Sequence, residues 1–398
     1  MIGQNVIKEE SFGTALKTAV RSNMRQYTMI AALLLIWVVF GILTGGLFFR
    51  PMNISNLFLQ MVTIAILTHG MVLVMVAGNI DLSVGTVCGT LGALAAWLMV
   101  FKGVNPVIAI SITLAGGLVI GLWHGFWIAF RGVPAFIVTL SSMIFFKGIT
   151  YLICDGKTIG GFSNGFLEIG KGFIPRLFIA NDSMHITSVI LVVIAVAAFI
   201  ISSIIVRRKR ISNGFTVLRP SLEILKILII SAAILIIGMV LASYEGISYA
   251  VLLLLLIAVI YTVIVTRTPF GRHVFAIGGN REAARLSGVN IKKTLMTICI
   301  SMGAMNAIAA IVYVSRLTSA TADAGALFEL DTIAACIIGG TSTAGGIGTI
   351  FGALVGALVM ASLDNGMSLM NLKPEYQYIA KGLVLLFAVW IDIAMRKK

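Results

Sequence analysis

Long apolar segments recur along almost the whole chain, and they restrict its possible folds more than any other feature. An α-helix needs about 20 apolar residues to cross a bilayer core. Since 59% of the residues are hydrophobic and only 11% are charged, one soluble core could not bury them. The sequence therefore predicts an all-α, polytopic integral membrane protein of about 10–12 transmembrane segments, near 27–48, 57–78, 82–101, 105–130, 134–154, 185–206, 224–243, 249–266, 294–315, 329–341, 346–363 and 376–394.

The segment at 329–341 is too short and too rich in glycine for a plain crossing. It is better explained as half a helix that turns inside the protein, an arrangement tolerated only where other helices cover it. Whether region 329–363 is re-entrant or fully spanning stays open from the sequence.

Lysine and arginine predict the orientation of the chain. With the N-terminus in the cytoplasm, 20 of the 29 fall on the cytoplasmic side and seven on the other, as the positive-inside rule requires. We therefore expect a bacterial inner membrane protein with both termini in the cytoplasm. The expected regions are a cytoplasmic N-terminal segment (1–26), a transmembrane domain (27–398), a periplasmic loop (155–184) and cytoplasmic loops (207–223 and 267–293).

Two short strings of the first half have echoes in the second. Ile80–Gly89 (IDLSVGTVCG) resembles Leu330–Gly339 (LDTIAACIIG), and Leu122–Gly125 with its following proline resembles Leu363–Gly366 with its own. In the expected topology Asp81 follows an inward span and Asp331 an outward one. The copies are therefore expected to be inverted, a plan common among transport folds.

The cytoplasmic string GRHVFAIGGNREAARLSGV (271–289) is the most informative loop. Asn280 is suited to cap a short helix that stops at Gly288, with Glu282 near its positive end and Arg285 near its negative end. Small residues at Ala283 and Ala284 would let this helix fit a groove on a partner. An ordinary amphipathic connector explains the spacing equally well.

Together with GMVLVMVAGNIDLSVG (70–85) and ELDTIAACIIGGTSTAGG (329–346), this loop resembles the sugar-importer permeases of bacterial ATP-binding cassette systems. VPAFIVTL (133–140), MASLDNGMSLM (360–370) and the extra hairpin near 185–243 make it most similar to xylose-type and multiple-monosaccharide permeases. The resemblance implies a homodimeric pore, cytoplasmic ATPase chains that carry ATP and magnesium, and a periplasmic sugar-binding protein. It makes 278–288 the coupling helix, with docking residues Gly278, Gly279, Asn280, Glu282, Ala283, Ala284, Arg285, Ser287 and Gly288.

Five residues are candidates for the solute path: Asn79, Asp81, Phe136, Asp331 and Asn365. Asp81 is explained as well by capping the next helix, the commoner role of an aspartate at a helix start. Asp331 is expected at the outer mouth, where the binding protein would deliver sugar near 316–331. The family often has Gly or Glu at the position of Asn79.

No catalytic or metal-binding residues are expected. The four histidines lack ligand spacing, and the cysteines lack CxxC spacing. The string 165–172 nearly spells a phosphate-binding loop but ends in Gly172, where Ser or Thr should hold magnesium. This chain is therefore expected to bind no cofactor and to depend on separate ATPase chains.

The sequence thus predicts the permease subunit of an importer for a monosaccharide such as xylose. One alternative is a secondary transporter that works alone on an ion gradient, with Asp81 or Lys147 as the coupled group. Another is a permease of the same family for a nucleoside, an autoinducer or a branched-chain amino acid. A membrane-embedded enzyme is the weakest alternative.

Overall fold

The computed structural model describes residues 24–177, 184–215, 217 and 219–396. Most of the predicted N-terminal segment 1–26 lies outside these residues. Within them 15 α-helices form nearly all of the regular structure. They are α1 Met24–Leu43, α2 Pro51–Val76, α3 Val84–Val100, α4 Pro106–Gly125, α5 Ala135–Cys154, α6 Asn164–Lys171, α7 Ile186–Ser212, α8 Pro220–Ala242, α9 Tyr249–Arg267, α10 Pro269–Gly279, α11 Arg281–Leu286, α12 Ile291–Leu317, α13 Phe328–Ile338, α14 Ile350–Leu369 and α15 Pro374–Arg396.

A helix lies at each of the twelve predicted positions, and eight of them are long and apolar enough to cross a membrane. The all-α, polytopic prediction is therefore confirmed. Two further helices, α6 and α10, lie in the segments 155–184 and 267–293, which the sequence predicts to be loops. A π-helical turn, Phe126–Phe130, extends α4, and the two-residue strands β1 (Ile159–Gly160) and β2 (Ser319–Ala320) pair antiparallel.

Proline marks the start of five helices: Pro51, Pro106, Pro220, Pro269 and Pro374. The first turn of a helix has backbone N–H groups without partners in any case, so the missing N–H of proline costs little there. Its fixed φ also suits the first helical residue. These prolines sharpen the boundaries between short loops and long helices.

The centre of the fold is built from α2 and α12, which pack on each other. Helix α2 also packs on α13 and α14, and α12 packs on α3 and α4. The sequence echoes make α3 equivalent to α13 and α4 equivalent to α14. Each central helix therefore packs on the equivalents of the helices that follow the other one, as an approximate two-fold axis requires. Helices α2–α5 and α12–α15 therefore behave as two repeats, each packed on the other.

Small residues let these helices approach closely, as membrane helix packing favours. Gly117 of α4 and Gly303 of α12 face each other so closely that a Cβ on either would overlap the other's carbonyl oxygen. Gly356 of α14 leaves the same kind of space for Ala335 of α13. Part of the high glycine content is thus used at helix crossings.

Helix α13 has 11 residues, a length of about 16 Å, roughly half of a hydrocarbon core. Its first turn lies beside the first turn of α3, because Gly85 contacts Glu329 and Gly325. The segment 321–327 runs along α3 to reach this point, with Ala324 against Gly89. Helix α13 is therefore the half-helix expected at this position, starting inside the protein next to the start of α3.

Loops expected on one side of the membrane contact one another. At the expected periplasmic end, β1 pairs with β2, and Phe173 bridges to Ser248. At the expected cytoplasmic end, the Gly346 N–H donates to the Val76 carbonyl oxygen at 2.8 Å. These pairings agree with the alternation of chain direction that the charge distribution predicts, and which end faces the cytoplasm stays a prediction.

The described residues divide into two compact units, one within 29–174 and 247–396 and the other within 24–28, 175–177, 184–215, 217 and 219–246. The first contains both repeats. In the second, α7 and α8 pack on each other as a hairpin, and few of their apolar side chains are buried.

Candidate functional site

The short helix α11 is held as the sequence predicts. The Asn280 side chain accepts a hydrogen bond from the Ala283 N–H at 2.9 Å, so Asn280 is its N-cap. After Ser287, Gly288 has a φ of 83°, a conformation that glycine adopts without strain. Helix α10 runs directly into α11, so the loop 267–293 consists mainly of two helices.

The exposed face of α11 carries an ion pair and an apolar side chain. Arg285 donates to the Glu282 carboxylate at 3.1 Å, which holds the pKa of Glu282 below its usual value. Leu286 is 75% exposed. Ala283 is exposed but Ala284 is buried within this chain, so the two alanines do not form the common docking face that the sequence suggested.

The C-terminal end of α10 contacts two other segments through backbone alone. A Cβ on Gly278 would overlap the Val76 carbonyl oxygen at the end of α2 and the Gly346 nitrogen between α13 and α14. A Cβ on Gly279, in contrast, would meet nothing within 4 Å. We name the contact of Val76, Gly278 and Gly346 the glycine junction. No flexible side chain separates its three segments, so a displacement of α10 and α11 must move the others or break the contact.

A second contact joins the starts of the half-helix α13 and of α3. The Glu329 carboxylate lies against the first turn of α3 at Gly85, and its Oε2 makes no hydrogen bond to the described residues. A carboxylate is favoured at the positive end of a helix. Both residues belong to motifs that the sequence analysis identified, since Gly85 ends the string 70–85 and Glu329 begins the string 329–346. Their positions in the sequence do not predict that they are in contact.

Asp81 orders the turn before α3, whose N-cap residue is Ser83. Its Oδ1 accepts hydrogen bonds from the Ser83 N–H at 2.8 Å and the Ser83 hydroxyl at 2.6 Å. Asp81 and Asn79 also line a cavity with His124, whose Nε2 is 2.9 Å from the Ser142 hydroxyl. The cavity measures about 20 Å³, room for about one water molecule. It cannot hold a monosaccharide in this conformation.

Asp331 takes part in a buried ion-pair cluster. It is buried and forms an ion pair with Lys381 of α15 at 3.0 Å, and the same ammonium pairs with Asp364 of α14 at 2.8 Å. These contacts give Asp331 a structural role, and its place at the outer mouth stays a prediction. We name these three residues the acid–lysine triad. Unpaired charges are expensive inside a membrane, so Lys381 holds α13, α14 and α15 together.

The last two path candidates also lie apart from the small cavity. Asn365 is buried, and it exchanges hydrogen bonds with Asn53 of α2 at 2.8 and 3.1 Å. Phe136 is 55% exposed at the start of α5. Of the five candidates only Asn79 and Asp81 come together.

Lys147 finds a partner that the sequence left undefined. It donates to the Asp323 carboxylate at 2.8 Å and to the Ala322 carbonyl oxygen at 3.2 Å, and Tyr151 also donates to Asp323. These bonds hold the pKa of the exposed Asp323 carboxyl below its usual value. They fasten the segment 321–327 to α5.

Among the described residues, no group of three or more His, Cys, Asp or Glu side chains is arranged to hold a metal ion. The buried polar groups described above instead make hydrogen bonds or ion pairs near helix starts and across helix contacts.

Comparison with known sequences agrees with the motif resemblance. The family described as branched-chain amino acid transport system, permease component, matches residues 53–389. The xylose transport system permease protein XylH of Haemophilus influenzae is 40% identical over 376 residues, covering 94% of this chain and 98% of that protein. The Escherichia coli XylH is also 40% identical, over 94% of this chain and 93% of its own length. The ribose import permease protein RbsC of Bacillus subtilis is 31% identical over 94% of each. No solved structure matches.

Proposed function

The chain belongs to the branched-chain amino acid transport system permease family, and from this we propose that it is the membrane subunit of an ATP-driven importer for xylose. It works as a homodimer in the bacterial inner membrane with both termini in the cytoplasm. ATP and magnesium are bound by separate ATPase chains, and a periplasmic sugar-binding protein delivers the solute.

The choice of xylose is supported by the relatives. Two that are 40% identical over most of their length are named for xylose transport, whereas those named for ribose import are 31–32% identical. The small cavity beside Asp81 offers no solute-sized site. We assign selection among sugars chiefly to the binding protein, as the family resemblance implies.

The mechanism rests on the glycine junction. An ATPase that binds α11 and shifts it displaces α10, and the contacts of Gly278 carry this movement to the end of α2 and to the turn between α13 and α14. Rigid helices that move against each other in this way are a common means of switching. ATP acts only because the ATPase binds one conformation better than the other.

The single observation that carries the proposal is this backbone contact, and exchanging its glycine tests it. Gly278→Ala should retain the ATPase partner but lose at least tenfold in xylose uptake per ATP hydrolysed, because the added methyl separates α10 from α2. Gly148→Ala in α5 is the matched control, since its methyl meets open space and it lies outside the docking segment, and uptake should stay within about twofold.

The measurement is uptake of labelled xylose into proteoliposomes that hold the assembled importer, with phosphate release recorded in parallel. Equal coupling ratios for the two variants would contradict transmission through the junction. A loss of ATPase binding in Gly278→Ala, seen by co-purification, would assign the junction to assembly instead.

A secondary transporter remains the competing function, since the inverted repeat suits it equally well. It gives no role to the helix α11 with its exposed Leu286. Proteoliposomes that contain this chain alone separate the two functions. Xylose accumulation driven by a proton or sodium gradient, without ATPase or ATP, would establish the secondary transporter.

A further inference from the structure

The hairpin of α7 and α8 ends in a group of basic residues that the import mechanism does not use. Six lysines and arginines lie between Arg207 and Lys226. Helix α7 has 27 residues, a length of about 40 Å, which exceeds a hydrocarbon core by about 10 Å. Its last turns, which carry Arg207 and Arg210, therefore reach the depth of the lipid headgroups.

A cavity of about 200 Å³ lies between the end of α7 and the start of α8. Its polar lining comprises the cations Arg207, Arg210 and Lys226, the anion Glu223, and the hydroxyls of two serines on α7, Ser202 and Ser203. Three cations against one carboxylate leave the cavity with an excess of two positive charges. Cationic side chains with hydroxyl groups nearby are the chemistry that recognises a phosphate.

Glu223 lies near two of the cations but does not satisfy all of their hydrogen-bond donors. Its carboxylate is 3.5 Å from Arg207 Nη1 and 3.8 Å from Lys226 Nζ. Arg207 Nη1 is buried and makes no hydrogen bond to any described residue. A buried guanidinium nitrogen without an acceptor is costly, and a phosphate oxygen in the cavity would supply one.

The surface next to the cavity is apolar. Phe199 and Val206 contribute to its wall, and α7 exposes large apolar side chains such as Ile201 and Ile205. An amphiphile with an acyl chain can cover these side chains while its headgroup enters the cavity. A free phosphate ion would gain nothing from them.

We propose that this cavity binds the phosphate headgroup of an anionic phospholipid, with Arg207, Arg210 and Lys226 as its ligands and the acyl chains against α7. Basic pockets between membrane helices are known to bind such headgroups. The site does not depend on which solute is carried.

The test compares two charge-matched double variants of α7 in the full-length chain. Arg207→Gln with Arg210→Gln removes two cations that line the cavity, whereas Arg208→Gln with Lys209→Gln removes two neighbours that do not. Native mass spectrometry in detergent measures retention of dioleoyl phosphatidylglycerol, with dioleoyl phosphatidylcholine and inorganic phosphate titrated separately.

The wild-type chain should retain phosphatidylglycerol at one molecule per chain and in preference to phosphatidylcholine. The first double variant should bind it at least about tenfold more weakly, the effect of losing one charge-assisted hydrogen bond. The second should change binding by less than about threefold. If the first variant fails to fold, Lys226→Gln gives the same comparison and should lose about fivefold.

Three results would overturn the site. Equal losses in the two double variants would show diffuse attraction by surface charge. Equal affinity for phosphatidylcholine would remove the need for an anionic lipid. Inorganic phosphate that binds as tightly as the lipid would make the site an ion site without a role for acyl chains.

Discussion

The acid–lysine triad gives a quantitative test of how the second repeat is held together. Lys381→Met keeps the length of the side chain and removes the charge that faces Asp331 and Asp364. With separations of 3.0 and 2.8 Å and an effective dielectric constant of about 20, each attraction is about 5–6 kcal/mol before desolvation is subtracted. Breaking a buried pair from one side costs about 3–5 kcal/mol, since it leaves an uncompensated charge.

We therefore expect Lys381→Met to lower the free energy of unfolding by about 3–5 kcal/mol. The neutral triple variant, with Asp331→Asn and Asp364→Asn added, should recover most of this loss, because no buried charge is left unpaired. Lys373→Met is the matched control: Lys373 is exposed in the loop before α15, and a surface change costs at most about 0.5 kcal/mol.

The assay is steric trapping or denaturant unfolding of the purified chain in a lipid bilayer, with helicity followed by circular dichroism. If Lys381→Met lowers the free energy of unfolding by less than about 1 kcal/mol, the triad contributes no more than a solvent-exposed ion pair. A triple variant less stable than the single one would refute the reasoning from uncompensated charge.

Three further predictions concern the other contacts. Gly85→Ala should abolish uptake, because its Cβ would overlap the Gly325 carbonyl oxygen and the Glu329 carboxylate, whereas Gly148→Ala, which meets open space, should leave uptake within twofold. Ala283→Glu should keep the chain inserted in the membrane and abolish ATPase association, and normal co-purification would contradict docking at α11. The depressed pKa of Asp323 keeps its carboxyl ionised at pH values below the usual aspartate pKa. Its contribution to stability is therefore complete above the usual pKa and is lost as the pH falls through the lowered one. Stability should thus not change on its account between pH 5 and 8, and a transition in that range that disappears with Asp323→Asn would oppose this.

Most helices could be predicted from the hydrophobic runs and the charged loops. The bilayer requires a minimum length of each spanning helix, and it favours lysine and arginine in the loops on one side. The half-helix α13 was also recognisable, because its apolar run is short and ends in glycine. The helix α10 was not, since its sequence is neither long nor strongly apolar. Its position within a loop that is expected to face the cytoplasm also gave no reason to predict a helix.

The site was less predictable, because its contacts join residues far apart in the chain. Asn280 could be identified as a cap from local spacing alone. Lys381 could be identified only as a charge inside a span, and its partners depend on how α13, α14 and α15 pack. Ala284 shows the same limit, since no local pattern tells which face of so short a helix the protein covers.

The two repeats use equivalent positions for different purposes. In the echoes, Asp331 and Asn365 stand at the positions of Asp81 and His124, 250 and 241 residues later. In the first repeat these positions border a small cavity, whereas in the second Asp331 pairs with Lys381 of α15 and Asn365 with Asn53 of α2.

The helices of the second repeat are tied together at several points. The triad fixes α13, α14 and α15 to one another, and Gly339, Gly352 and Gly356 bring α13 and α14 into backbone contact. A displacement of Gly346 is therefore expected to move α13, α14 and α15 together. The proposed mechanism needs this coupling, since the contact of Gly278 with Gly346 lies in the turn between α13 and α14.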